Sequence, residues 1–154
     1  MPAYNFQKQF VEKILSGEKS QTIRRRRKRQ TVPGDMLSLY TGMRTKNCTL
    51  IAVAPCVNFE PIRFYLDRSE MYIWSPEEPG DLYFQEGEEI GLYRLMSAEE
   101  VNALAHADGF EDVYDFFDFF KRYKSDYLDD FEIIHWDPKR LVNFWEVRNE
   151  QNKN

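Results

Sequence analysis

Hydrophobic positions recur with a helical period near the start of the chain. In "NFQKQFVEKILSG", Phe6, Phe10 and Ile14, with Val11 and Leu15 beside them, fall on one face of a helix. Asn5 is the expected N-cap, and Gly17 the expected left-handed residue that ends the helix. The pattern then changes. "KSQTIRRRRKR" holds a single apolar residue, Ile23; in extended form Thr22, Arg24 and Arg26 share one face, and Ile23 and Arg25 the other. This predicts an edge strand, or a strand running into a loop, anchored by Ile23. Pro33-Gly34-Asp35 predicts a turn, "MLSLY" a strand, and "CTLIAVAPCVNF" a central strand that Pro55 bends or breaks. "IRFYL", "MYIW" and "LYF" read as short strands, separated by "DRSE" and by an exposed acidic loop from Ser75 to Asp81. "GEEIGLYRL" fits either strand or turn.

Helical spacing returns at residue 97. "SAEE", Ser97 to Glu100, is a capping box that opens a helix through Val101, Leu104 and Ala105, ended by Gly109. "EDVYDFFDFFKRYK" predicts a further helix with Val113, Phe116, Phe117 and Phe120 on one face. "FEIIHW" and "LVNFWEV" read as two closing strands around Asp137-Pro138. The order is helix, several strands, two helices, two strands, which predicts one α+β domain over residues 1–154. With so many short strands, a small, partly open β-barrel flanked by helices is the economical arrangement.

Composition narrows the class. With 42% hydrophobic and 31% charged residues, the chain is a folded domain and not a disordered tail. Twelve Phe and nine Tyr predict a core built on rings. No apolar run approaches the ~20 residues that span a bilayer, and "MPAYNFQKQF" lacks the pattern of a signal peptide. The expectation is a cytoplasmic protein without membrane partners, monomeric by default. Cys48 and Cys56, on one extended strand, would lie about 26 Å apart, beyond disulfide reach. His106 and His135 have no Cys or His at metal-ligand spacing, so no metal or other cofactor is expected.

Charge changes the picture most. The net charge of −5 conceals +8 over residues 1–50 and −13 over residues 51–154. Six consecutive basic residues, Arg24, Arg25, Arg26, Arg27, Lys28 and Arg29, follow the predicted strand start, and Arg44 and Lys46 follow the next strand. One reading is a solvated edge or a localisation-like tag. The other is an anion-binding edge, since clustered cations repel one another unless an anion screens them. A phosphate-lined polymer is the natural anion, and single-stranded RNA is preferred because no recognition-helix pattern is present while aromatics are abundant.

Three further residues are candidates for chemistry. Lys19 sits beside the positive field, which with any burial favours its neutral, basic form, able to take the proton of the Thr22 hydroxyl. In a regular strand positions 19 and 22 point to opposite faces, so their cooperation requires the chain to turn between them. Asp108, before Gly109, either caps its helix or faces a cleft, whereas Glu111 and Asp112 suit the next helix N-terminus.

Taken together, "FVEKILSGEKSQTIRRRRKR", "PGDMLSLYTGMRTKNC", "ALAHADGF" and "IIHW" resemble the ASCH domain family over roughly Phe6 to Val147, most closely in "GEKSQTIR". The stretch around residues 63–88 is absent from the shortest family members. The resemblance implies a barrel similar to the PUA domain and a role with RNA. Some small ASCH proteins hydrolyse N4-acetylcytidine with a Lys, a Thr and a Glu. The Lys and Thr of that motif fall on Lys19 and Thr22, and the best match for the Glu is Asp108, shorter by one methylene. A displacement of ~1 Å costs about a hundredfold in rate. The resemblance thus implies Lys19 activating Thr22 for attack on the amide carbonyl, Asp108 protonating the leaving amine, and Arg24 holding substrate or oxyanion.

Two functions lead: an RNA-binding PUA-like module with a basic cleft for a nucleotide or single-stranded RNA, and an amidohydrolase acting on an acylated cytidine through Lys19, Thr22 and Asp108. An interaction role without chemistry ranks third, and a ribonuclease using Lys19 and Asp108 fourth.

Overall fold

The computed structural model describes residues 1–75 and 93–152. The expected "LYF" strand, residues 76–81 of the acidic loop and most of "GEEIGLYRL" lie outside them. In chain order the elements are β1 (Ala3–Phe6), α1 (Val11–Ser16), β2 (Gln21–Arg25), β3 (Met36–Thr41), β4 (Thr49–Tyr65), β5 (Glu70–Trp74) and β6 (Tyr93–Leu95). Then come α2 (Ala98–Ala107), α3 (Val113–Phe120), β7 (Tyr127–Trp136), β8 (Val142–Asn143) and α4 (Trp145–Asn152). The class is mixed α+β. The eight strands join in the order β1-β3-β4-β5-β6, with β7 and β8 also on β4 and β2 on β7. Among the described residues the sheet is not closed into the expected barrel, since the ends of that path, β1 and β6, do not pair.

The chain forms two compact units, one of Met1–Thr22, Arg27–Phe59 and Ile134–Asn154, the other of Ile23–Arg26 and Glu60–Ile133. In the first, β1 runs parallel to β3 from Ala3 opposite Ser38 to Phe6 opposite Thr41. The predicted first helix is therefore shorter than expected. Its start is taken by β1 and a 3-10 turn, Lys8–Phe10. Asn5 is not its cap: the Asn5 Oδ1 accepts from the Met43 amide at 2.9 Å instead. Gly17 does end α1, at φ 85, where a Cβ would be strained.

Pro55 neither breaks nor ends β4, which spans 17 residues and runs on to Tyr65. Proline in an extended chain removes only a donor. The groups around it stay paired: the Pro55 carbonyl accepts from Asp137 N at 3.1 Å, and Cys56 N donates to Asp35 O at 2.8 Å. The last expected strand, "LVNFWEV", is mostly helix. After the two residues of β8, which pair with Ala52 and Val53, the Asn143 Oδ1 accepts from Trp145 N at 2.9 Å and Glu146 N at 3.4 Å and starts α4.

The second unit has a ring-built core. β4 and β5 pair antiparallel, with Ile62 opposite Ile73 and Phe64 opposite Met71. Ile62, Phe64 and Met71 are fully buried on one face. The Phe64 ring stacks on Phe120 of α3 at 4.6 Å and meets Phe131 of β7 edge-on at 5.9 Å. α2 opens with the expected capping box: Glu100 N donates to Ser97 Oγ and Ser97 N to Glu100 Oε1, both at 3.2 Å. Arg94 of β6 adds a two-pronged bond to the same carboxylate, at 2.9 and 2.7 Å.

The Arg94 hydrogen bonds, with help from Ser97 and against partial burial, hold the Glu100 carboxyl at about 2. A folded-state value below the unfolded one adds stability that is present above the unfolded pKa, near 4.3, and lost as pH falls toward 2. The pair is 29% and 40% exposed, so solvent screening keeps the effect at ~1 kcal/mol. Urea denaturation at pH 6 and at pH 2.5 is expected to show a loss larger by that amount in the wild type than in Glu100→Gln. Equal losses would refute the assignment.

Candidate nucleic-acid interface

The route from α1 into β2 sets the first half of the site. Gly17 turns the chain, and the Lys19 amide bonds back to the Lys13 carbonyl at 2.9 Å. Lys19 thus precedes the strand and Thr22 lies within it; the chain turns at Gly17 and Glu18, before Lys19, and runs from there into β2 without a further turn. Strict alternation of buried and exposed positions fails here. Gln21, Thr22 and Ile23 are buried in succession, Arg24 is half-buried, and Arg25 to Arg29 are exposed. Among the described residues β2 pairs with β7 alone, as the expected edge strand, and Ile23 is its anchor. Trp136 N donates to Ser20 O at 3.0 Å near one end of the ladder, and Arg26 N to Asp130 O at 2.7 Å near the other.

Lys19 is only 2% exposed, a degree of burial rare for lysine. Its Nζ stands 5.0 Å from the Phe10 ring centroid and 5.6 Å from that of Phe6. Phe6 in turn meets Trp136 edge-on at 5.9 Å. Two buried donors near this part of the chain, Gln21 Nε2 and Trp136 Nε1, have no hydrogen-bond acceptor among the described residues. Neither was singled out from sequence, because the orphaned state of a donor is a property of packing.

The basic run divides between the units. In the second, the Arg25 guanidinium lies 5.0 Å from the Tyr123 ring and 5.5 Å from that of Phe131, and its Nε stands 3.5 Å from Asp130 Oδ2. Arg26 donates Nη2 to the Tyr93 hydroxyl at 3.2 Å. In the first, Arg27 covers the Tyr4 ring at 4.1 Å and donates to the Ala3 carbonyl. Lys28 and Arg29 are exposed, as are Arg44 and Lys46 in the turn after β3, where Arg44 takes a left-handed φ of 65. Of the five consecutive exposed cations, Arg25 alone meets a carboxylate among the described residues.

Asp108 is buried at the C-cap of α2, with its amide on the Leu104 carbonyl at 2.9 Å. It belongs to the second unit, together with Arg24, Arg25 and Arg26, whereas Lys19 and Thr22 belong to the first with Arg27, Lys28, Arg29, Arg44 and Lys46. A groove of about 980 Å³ in the second unit contains none of these residues; Leu66, Met96, Val101, Phe117, Lys121 and Lys124 are among those lining it. Among the described residues no group of three His, Cys, Asp or Glu side chains is placed to hold a metal ion, and no helix is long and apolar enough to cross a membrane. No protein-family model matches the chain, and no curated protein or solved structure does so.

Proposed function

We propose that the chain is an ASCH-like, PUA-like module that binds single-stranded RNA through the basic run beginning at Arg24. The observation that carries this reading is the uncompensated charge of Arg25 to Arg29, which has one carboxylate among its described partners. Tyr93, Tyr4 and the Ala3 carbonyl hold Arg26 and Arg27 in place without neutralising them. Ordered cations that keep their charge are suited to phosphates, whose binding releases condensed counterions.

The test is a titration of labelled single-stranded RNA at several salt concentrations. Replacing Arg25, Lys28 and Arg29 together by alanine removes three exposed charges; Arg25 also covers the Tyr123 and Phe131 rings, so the melting temperature of the variant is measured beside its affinity. Affinity is expected to fall about tenfold or more near 100 mM salt, and the slope of log K against log salt to become shallower by about 2. Unchanged affinity and slope would overturn the reading.

The burial of Lys19 and Thr22 favours a second reading, an amidohydrolase acting on an acylated cytidine. Lys19 takes the Thr22 hydroxyl proton, the hydroxyl oxygen attacks the acyl carbonyl, and the amine leaves with a proton. Water then releases the acid from Thr22.

A further inference from the structure

The face of β4, β5 and β6 that carries Arg63 and Tyr72, in the second unit, holds an arrangement that charge patterning did not suggest; Tyr72 and Tyr93 are buried on it and Trp74 is exposed. Cross-strand pairing puts Arg63 opposite Tyr72 and Trp74 opposite Tyr93, so these four residues lie on the face opposite to Phe64 and Met71. The Arg63 guanidinium covers the Tyr93 ring at 4.1 Å, and Trp74 meets that ring edge-on at 5.4 Å. Arg26 reaches the hydroxyl of the same Tyr93. One tyrosine therefore joins the basic run to an arginine and a tryptophan on the sheet.

Two features of this face point outward to a ligand. Trp74 keeps 40% of its surface exposed, although a large ring placed beside Tyr93 has apolar cover close by. The Arg63 Nε is buried and meets no acceptor among the described residues, a state that costs free energy unless an incoming acceptor relieves it. A partly exposed ring whose neighbour Tyr93 holds two guanidinium groups suits a base that stacks while its phosphate is held.

We infer that Trp74, supported by Tyr93 and Arg63, is a base-stacking platform for single-stranded RNA, continuous with the basic run through Arg26. This rests on the RNA-binding reading above and adds the place where a base sits. Stacking is tolerant of sequence, so the platform selects single strands, whose bases are free to stack, over paired ones.

The test titrates a short oligouridine into the full chain and reads both tryptophan fluorescence and affinity. Trp136 is buried and Trp145 half-buried, so the quenching assigned to Trp74 is the part that Trp74→Phe removes. Trp74→Ala is expected to weaken binding about tenfold with an unchanged salt slope, because no charge is removed. Trp74→Phe keeps a ring and is expected to bind within about twofold of wild type while losing the quenching. If Trp74→Ala binds like wild type while the Arg25, Lys28 and Arg29 variant is weakened, RNA binding stands and the platform falls. If the wild type does not bind at low salt, the RNA reading itself fails and the platform with it. Competition by duplex as strong as by single strand would also overturn the platform.

Discussion

Phe64→Ala is expected to destabilise the second unit by about 4 kcal/mol, a large share of the 5–15 kcal/mol that holds a domain folded. The ring is fully buried and touches three others, stacked on Phe120 and angled against Phe116 and Phe131. Its removal leaves a cavity that the flanking rings, themselves in contact with one another, have little freedom to fill. Thermal unfolding should show a midpoint about 10–20 °C lower. Tyr114→Ala is the contrast: Tyr114 is 82% exposed on the same helix as Phe116 and Phe120, and its removal is expected to change stability by less than about 0.5 kcal/mol. A Phe64→Ala protein within about 1 kcal/mol of wild type would mean that these rings are not the core.

Lys19→Ala is expected to abolish conversion of N4-acetylcytidine to cytidine, lowering it by about a thousandfold or more, if the buried pair is catalytic. Mass spectrometry of the purified chain with the nucleoside reads this directly. Thr22→Ala should be equally inactive, while Thr22→Ser, which keeps the hydroxyl, should retain part of the rate. The comparison separates chemistry from folding, because a lysine needed only for packing would alter melting temperature without a special effect of the hydroxyl. No conversion by the wild type removes the amidohydrolase reading and leaves the basic run to RNA. Conversion that survives in Lys19→Ala removes Lys19 from the reaction.

What could be read from the sequence was what neighbouring residues decide. The Ser97 to Glu100 box and the Gly17 stop depend on residues within four positions, and both lie where the local pattern puts them. Phe116, Phe117 and Phe120 share the buried side of α3 for the same reason. β1 was concealed because Phe6 also fits the helical period of Phe10 and Ile14, and its pairing with β3 is 35 residues distant. Pro55 lacks a donor, yet its own carbonyl is bonded by Asp137 and the Cys56 amide bonds Asp35, partners from other loops that local sequence does not reveal. α4 did leave a signal: Asn143 with Glu146 three residues on has the form of a cap. In the candidate site, the exposure of the basic run followed from its charge. The aromatic partners of Arg25, Arg26 and Arg27 come from β7, β6, β1 and the 3-10 turn after α3, and a charge count cannot find them. Arg63 and Tyr65, like Tyr72 and Trp74, do show the two-residue spacing of a shared strand face.

The discontinuous make-up of the first unit bears on how the chain emerges from a ribosome. Every residue of the second unit has been synthesised once Ile133 is added, whereas the first still lacks Ile134–Asn154. Phe6 must wait for Trp136, and Ala52 and Val53 for the two residues of β8. The part translated first is thus the later of the two to complete its packing, and its apolar side chains are the ones a nascent-chain chaperone meets.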